Sequence, residues 1–131
     1  KRTEMTRRKS IHIGEFKHAN PIPNACRIGN LLMSGVILGR DPATGKMPER
    51  IEDQCANMFG HMKAIVEAGG GATSDIIKMT VWLQDRTQRA PVNVEWLKMF
   101  PDAHSRPARH ALQMDMESGA LVQCDFTAVI G

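Results

Sequence analysis

The sequence predicts an α+β fold: one six-stranded mixed sheet with two helices on a single face, in the order β-β-β-α-β-α-β-β. Three observations carry that expectation. Residues 51–68 repeat apolar side chains at helical spacing. Short runs with strand-like alternation cluster at both ends of the chain. Between them strands and helices alternate, as they do when they share one sheet. A length of 131 residues suits one domain with its own core. The expected division is a basic N-terminal tail over 1–9 and one domain over 10–131.

The first strand is expected over 10–16, "SIHIGEF", where Ile11 and Ile13 alternate with His12. "HANPIPNACRIGN" follows as a loop set by its prolines and asparagines, leading into a brief strand over 25–28. "LLMSGVI", 31–37, reads as an apolar strand with Gly35 near its end, and "GRDPATGKMPER" as a turn region. The first helix carries Ile51, Cys55, Met58, Met62, Ile65 and Val66 on one stripe, with Gly69 placed to cap it in a left-handed conformation. After the "GGGATSD" loop, "IIKMTVWL" is a strand with Ile77, Met79, Val81 and Leu83 on one side and Lys78, Thr80 and Trp82 on the other. Pro91 suits the first turn of a second helix over 90–100. "ARHALQM" and "LVQCDFTAVI" close the chain as strands, with "DMESGA" between them.

Parity sorts the last strand. Val122, Cys124, Phe126, Ala128 and Ile130 form an apolar face that should lie under the helices. Leu121, Gln123, Asp125, Thr127 and Val129 form the other. Grouping Arg109, Ala111 and Gln113 of the preceding strand with that second face yields a mixed polar and apolar surface. Such a surface calls for cover by another subunit, with Asp125 and Arg109 meeting in a partly dry seam. Two readings of that pair stay open. It is a structural ion pair, or Arg109 clamps a carboxylate ligand through its planar fork and leaves Asp125 free for acid–base work.

Composition narrows the function classes. The net charge of +3 is concentrated in "KRTEMTRRK", where Lys1, Arg2, Arg7, Arg8 and Lys9 outnumber Glu4. The rest of the chain is slightly acidic, so a basic nucleic-acid-binding surface on the folded part is not expected. Cys26, Cys55 and Cys124 stand far apart without paired spacing, as do the five histidines. No metal site or disulfide framework is expected, and a reducing cytoplasm is. No apolar run is long enough to span a membrane, and the charged N-terminus is not followed by the apolar stretch of a signal peptide. "GRDPATGK" is no P-loop: its glycine spacing is one residue too long and Met47 stands where a hydroxyl must reach magnesium.

Several segments together resemble the YjgF/RidA (reactive intermediate deaminase) family, also called endoribonuclease L-PSP. They are "GNLLMSG", "DPATGKMP", "QCANMFGHMKAIVEAGG", "SDIIKMTVWLQD", "VNVEWLKMF", "RPARHAL" and "VQCDFTAVI", in order along nearly the whole chain from about residue 19. The resemblance implies a chorismate-mutase-like subunit and a homotrimer with active sites between subunits. It implies a cofactor-independent deaminase that hydrolyses enamine or imine carboxylates to 2-oxo acids and ammonia. The family's carboxylate-binding arginine falls on Arg109, its strand carboxylate on Asp125, its serine on Ser34 and its helix-opening asparagine on Asn93. Four departures are visible. Asp125 replaces the usual glutamate, Ile22 stands where the family has a pocket tyrosine, Ala111 replaces a frequent cysteine, and the segment before Ser34 is about one residue shorter. They imply a bulkier or more apolar substrate, of the aminomuconate-enamine kind. Two other classes compete with the deaminase: a non-enzymatic binder of small carboxylate metabolites, and the ribonuclease or translation inhibitor of the older family name. The latter needs a basic, aromatic-bearing surface, whereas this chain has two Trp, four Phe and no Tyr.

Overall fold

The computed structural model of the chain describes residues 7–14 and 20–131. The tail residues Lys1–Thr6 and the expected end of the first strand, Glu15 and Phe16, lie outside the described residues. The elements are β1 (Lys9–Ile11), β2 (Ala25–Ile28), β3 (Leu31–Ser34), β4 (Ile37–Leu38), α1 (Ile51–Ala68), β5 (Ile76–Leu83), α2 (Ala90–Met99), β6 (Ala108–Gln113) and β7 (Val122–Val129). Two helices lie on one face of a mixed sheet, as the sequence predicts. The sheet has seven strands in the order β1-β2-β3-β7-β5-β6, with β4 also paired to β7. The seventh strand arises because the single run expected over 31–37 breaks at Gly35. β3 pairs Met33 with Thr127, and β4 resumes by pairing Ile37 with Cys124, one residue out of step. Pairing in β1 begins at Lys9, opposite Arg27, inside the segment expected to be a tail.

α1 buries the stripe that its spacing predicts, and adds Gln54, Phe59 and His61. Gln54 is fully buried yet satisfied. Its Nε2 donates to the carbonyls of Pro48 (2.7 Å) and Gly119 (3.0 Å), and its Oε1 accepts from the Leu121 N–H (2.8 Å). A buried amide without those partners costs about 1–3 kcal/mol, so this one side chain ties the helix to the loops on either side. Gly69 does not take the expected left-handed conformation: its φ is −81°, and Gly70 takes that role with φ +95°. Gly69 instead packs closely, since a Cβ there would sit 2.2 Å from Leu32 Cδ1 and force that side chain to shift. The core between helices and sheet holds Leu32, Met58, Met62, Met79, Val81, Leu83, Val92, Val122, Cys124 and Phe126. Each such side chain contributes about 1.5–3 kcal/mol on burial.

Two features of the sheet depart from the sequence reading and decide where the site lies. A bulge in β5 between Ile76 and Lys78 buries Ile76 and turns Ile77 outward, the reverse of simple alternation. The second departure is larger. β6 and β7 are not neighbours, because β5 runs between them, parallel to β6 and antiparallel to β7. A strand–helix–strand unit within one sheet makes a parallel pair, so α2 delivers β6 beside β5.

Candidate active site

The register of the three strands places each candidate side chain. Thr80 lies opposite Asp125 on one side and His110 on the other, so these three share a face. Met79 lies opposite Phe126 and Arg109, and Met79 and Phe126 are buried under the helices. Arg109 therefore projects from the helix-covered face and Asp125 from the bare one. The expectation that they share a face and form a pair is corrected here. Parity says which residues of a strand go together, not which side they take. β6 is an edge strand, and its helix-side row of Arg109, Ala111 and Gln113 is polar because it sits at the rim of the core, not beyond it.

α2 builds the setting of Arg109. Asn93, in its first turn, accepts a hydrogen bond from Arg109 Nη2 at 2.7 Å. Trp96, three residues on and therefore on the same side of the helix, lies under the guanidinium, with Cζ 4.8 Å from the ring centroid. Phe100 buttresses Trp96 edge-on at 4.9 Å. The second nitrogen, Nη1, is buried and has no hydrogen-bond partner. No carboxylate of the described residues forms an ion pair with Arg109, which excludes the structural pair with Asp125. Burial, and then the like charge of Arg89, holds the guanidinium below its ordinary pKa, though an arginine remains cationic. The result is a fixed cation with one occupied arm and one vacant donor. The sequence reading missed Trp96 and Arg89; their spacing from Asn93 on the helix was the available signal.

Asp125 occupies a different setting. Burial raises its pKa, with the charge of Lys78 opposing. Trp82 and Gln123 continue the same face. Ser34 sits beside the Asp125 segment: its Oγ accepts the Phe126 N–H at 2.9 Å and donates to the Gly35 carbonyl at 2.8 Å. The hydroxyl thus bridges the break between β3 and β4. Ile22 is exposed in the loop before β2, four strand positions from β6 in the sheet. Arg109, Asn93 and Ala111 form one group; Asp125 lies on the opposite face, and Ser34, in register with buried Ala25 and sharing the parity of buried Leu32, meets the Asp125 strand only through the Phe126 N–H. Among the described residues no three His, Cys, Asp or Glu side chains gather as a metal centre requires. No helix among them is long and apolar enough to cross a membrane.

Comparison with known proteins agrees with this architecture. The sequence profile of the family described as endoribonuclease L-PSP matches residues 13–130. A RutC family protein of Pyrococcus horikoshii is 34% identical over 99 residues, 75% of this chain and 77% of that protein. The 2-iminobutanoate/2-iminopropanoate deaminase of Escherichia coli K12 is 30% identical over 95 residues, 72% of this chain and 74% of that protein. Among solved structures, E. coli TdcF with bound serine superposes with a TM-score of 0.84 at 26% identity, covering 94% of this chain and 99% of that one. RidA of the Antarctic bacterium Psychrobacter gives a TM-score of 0.84 at 27% identity, covering 93% and 99%. With its profile match, its relatives and its fold in agreement, the chain belongs to the YjgF/RidA (endoribonuclease L-PSP) family.

Proposed function

We propose that this protein is a cofactor-independent deaminase that hydrolyses enamine or imine carboxylates to 2-oxo acids and ammonia, at sites between the subunits of a homotrimer. The observation that carries the reading is the buried, unpartnered Nη1 of Arg109, on a guanidinium already fixed by Asn93 and Trp96. A carboxylate ligand supplies the partner that this nitrogen lacks, and a charge-assisted bond there is stronger than a neutral one. The relatives named as deaminases act on 2-imino acids by name. TdcF holds serine, which also presents a carboxylate.

The chemistry divides between the two faces of the sheet. Arg109 binds the substrate carboxylate and stabilises charge that spreads toward it. Protonation of the enamine carbon gives an imine, water adds to that carbon–nitrogen double bond, and the tetrahedral intermediate expels ammonia to leave the 2-oxo acid. Asp125 orients the water and relays its proton; its raised pKa brings it nearer the range in which a carboxyl exchanges protons readily. Ser34 holds the strand that carries Asp125. Ala111 lines the floor beside Arg109, and Ile22 supplies an apolar wall. Within one chain Arg109 and Asp125 project from opposite faces, so the complete site takes Asp125 and Ile22 from a neighbouring subunit. Exposed Leu31, Met33 and Val129 on the bare face are the apolar surface on which such a neighbour would pack.

The reading is tested by generating 2-imino acids in place with an amino-acid oxidase and following ammonia release. Wild-type protein should accelerate hydrolysis, and Arg109→Ala should lose about a hundredfold in kcat/KM. An Arg109→Ala variant as active as wild type would refute it. Carboxylate binding without any acceleration would instead establish the non-enzymatic binder, a reading favoured by the full engagement of the Ser34 hydroxyl with backbone.

A further inference from the structure

Arg109 is not the only cation at its site. Arg89 stands at the start of α2, in helical backbone conformation, and its carbonyl accepts the Asn93 N–H at 3.0 Å. Residues four apart on a helix lie on the same side. Arg89, Asn93 and Trp96 therefore form one row, and the lower two members of that row already touch Arg109. Arg89 is close enough for its charge to act on Arg109.

The surroundings leave this second charge unspent. No carboxylate of the described residues pairs with Arg89. Glu95, the only acid on α2, is paired with Lys98 at 3.5 Å and acts on Cys55 of α1, away from the row. Asp85, in the loop before the helix, is committed to Thr87, whose hydroxyl and N–H both donate to its Oδ1 (2.6 and 2.9 Å). Arg86 of the same loop donates its N–H to Gln113, on the Arg109 row of β6. The rim around Arg109 thus holds an excess of positive charge. Arg89 is exposed and its charge acts on Arg109, so an anion bound between them would relieve that repulsion.

We propose that Arg89 is a specificity-determining residue that receives a second carboxylate, so that the preferred substrates are imines of 2-amino dicarboxylates. This rests on the deaminase reading above and narrows it toward a more acidic substrate than the bulkier, more apolar one implied by the family resemblance.

The test compares imines generated by oxidase from glutamate and aspartate with the imine from 2-aminobutanoate, using wild type, Arg89→Gln and Arg89→Lys. Wild type should favour the dicarboxylates in kcat/KM. In Arg89→Gln the ratio of dicarboxylate to monocarboxylate should fall about fivefold, the scale expected of an exposed ion pair, and Arg89→Lys should retain most of it. Added salt should erode the ratio in wild type and much less in Arg89→Gln. A wild-type ratio at or below one, or a ratio unchanged in Arg89→Gln, overturns the proposal. Should no imine be turned over, the deaminase reading fails by itself, and binding of 2-oxoglutarate against 2-oxobutanoate by the same three proteins decides this one. Tighter binding of the dicarboxylate that weakens in Arg89→Gln supports it; equal binding overturns it.

Discussion

Arg109 shows how one side chain acquires a task from its neighbours. An arginine on an edge strand is ordinarily a solvated charge. Here an asparagine and a tryptophan on one side of α2 fix its plane and leave a single buried donor. Asp125 is the complementary case, a carboxylate with little compensation. Burial favours its neutral form in the folded chain, so the fold holds this proton more tightly than the unfolded chain does. Stability at this position is therefore greatest at low pH and is lost as pH rises from the ordinary carboxylate value of 3.8 through the raised value. Asp125→Asn should melt at a higher temperature than wild type at pH 7, and the difference should vanish near pH 3, at about which both side chains are neutral. A lower melting temperature for Asp125→Asn at pH 7 would contradict this. The buried thiols illustrate the same desolvation, which pushes Cys55 up to about 12 and Cys124 well above its usual value.

At the scale of elements, the junction of β3 and β4 depends on one hydroxyl. Ser34 Oγ replaces the ladder bond that the one-residue slip removes, by accepting the Phe126 N–H. Ser34→Ala should cost about 1–2 kcal/mol, because it leaves that N–H without its partner; urea unfolding measures it, and an unchanged midpoint would assign the bond no weight. The elements themselves were largely legible. The stripe of α1, Pro91 at the head of α2 and the alternating apolar set of β7 each follow from local spacing. What spacing does not encode is how strands meet. Nothing within "ARHALQM" says that its neighbour is β5, and that pairing turns Arg109 toward the helices. The β5 bulge was hidden for a similar reason: Ile76 and Ile77 are identical in hydrophobicity, so the pattern cannot say which one is turned out. The resemblance to a family identified Arg109, Asn93, Ser34 and Asp125 as candidates, but only the register shows that Arg109 and Asp125 lie on opposite faces.

At the scale of the whole molecule, the two candidate groups lie on two sides of the sheet. The rim between α2 and β6 holds the fixed guanidinium of Arg109 with its unpartnered Nη1. The bare face holds Asp125 in one cross-strand row with Thr80 and His110, edged by exposed Leu31, Met33 and Val129. A side chain cannot pass through its own sheet, so a reaction that uses both Arg109 and Asp125 needs two copies of the chain. On the proposed mechanism, oligomerisation is then a requirement of catalysis, beyond any contribution to stability.

Subunit mixing tests that requirement directly. Arg109→Ala and Asp125→Ala proteins, each impaired alone, are unfolded together and reassembled in equal amounts. If each site takes Arg109 from one subunit and Asp125 from the next, about a quarter of the sites in randomly mixed cyclic trimers regain both residues. The mixture should recover about that fraction of wild-type ammonia release. A mixture no more active than the two variants measured separately would contradict the account.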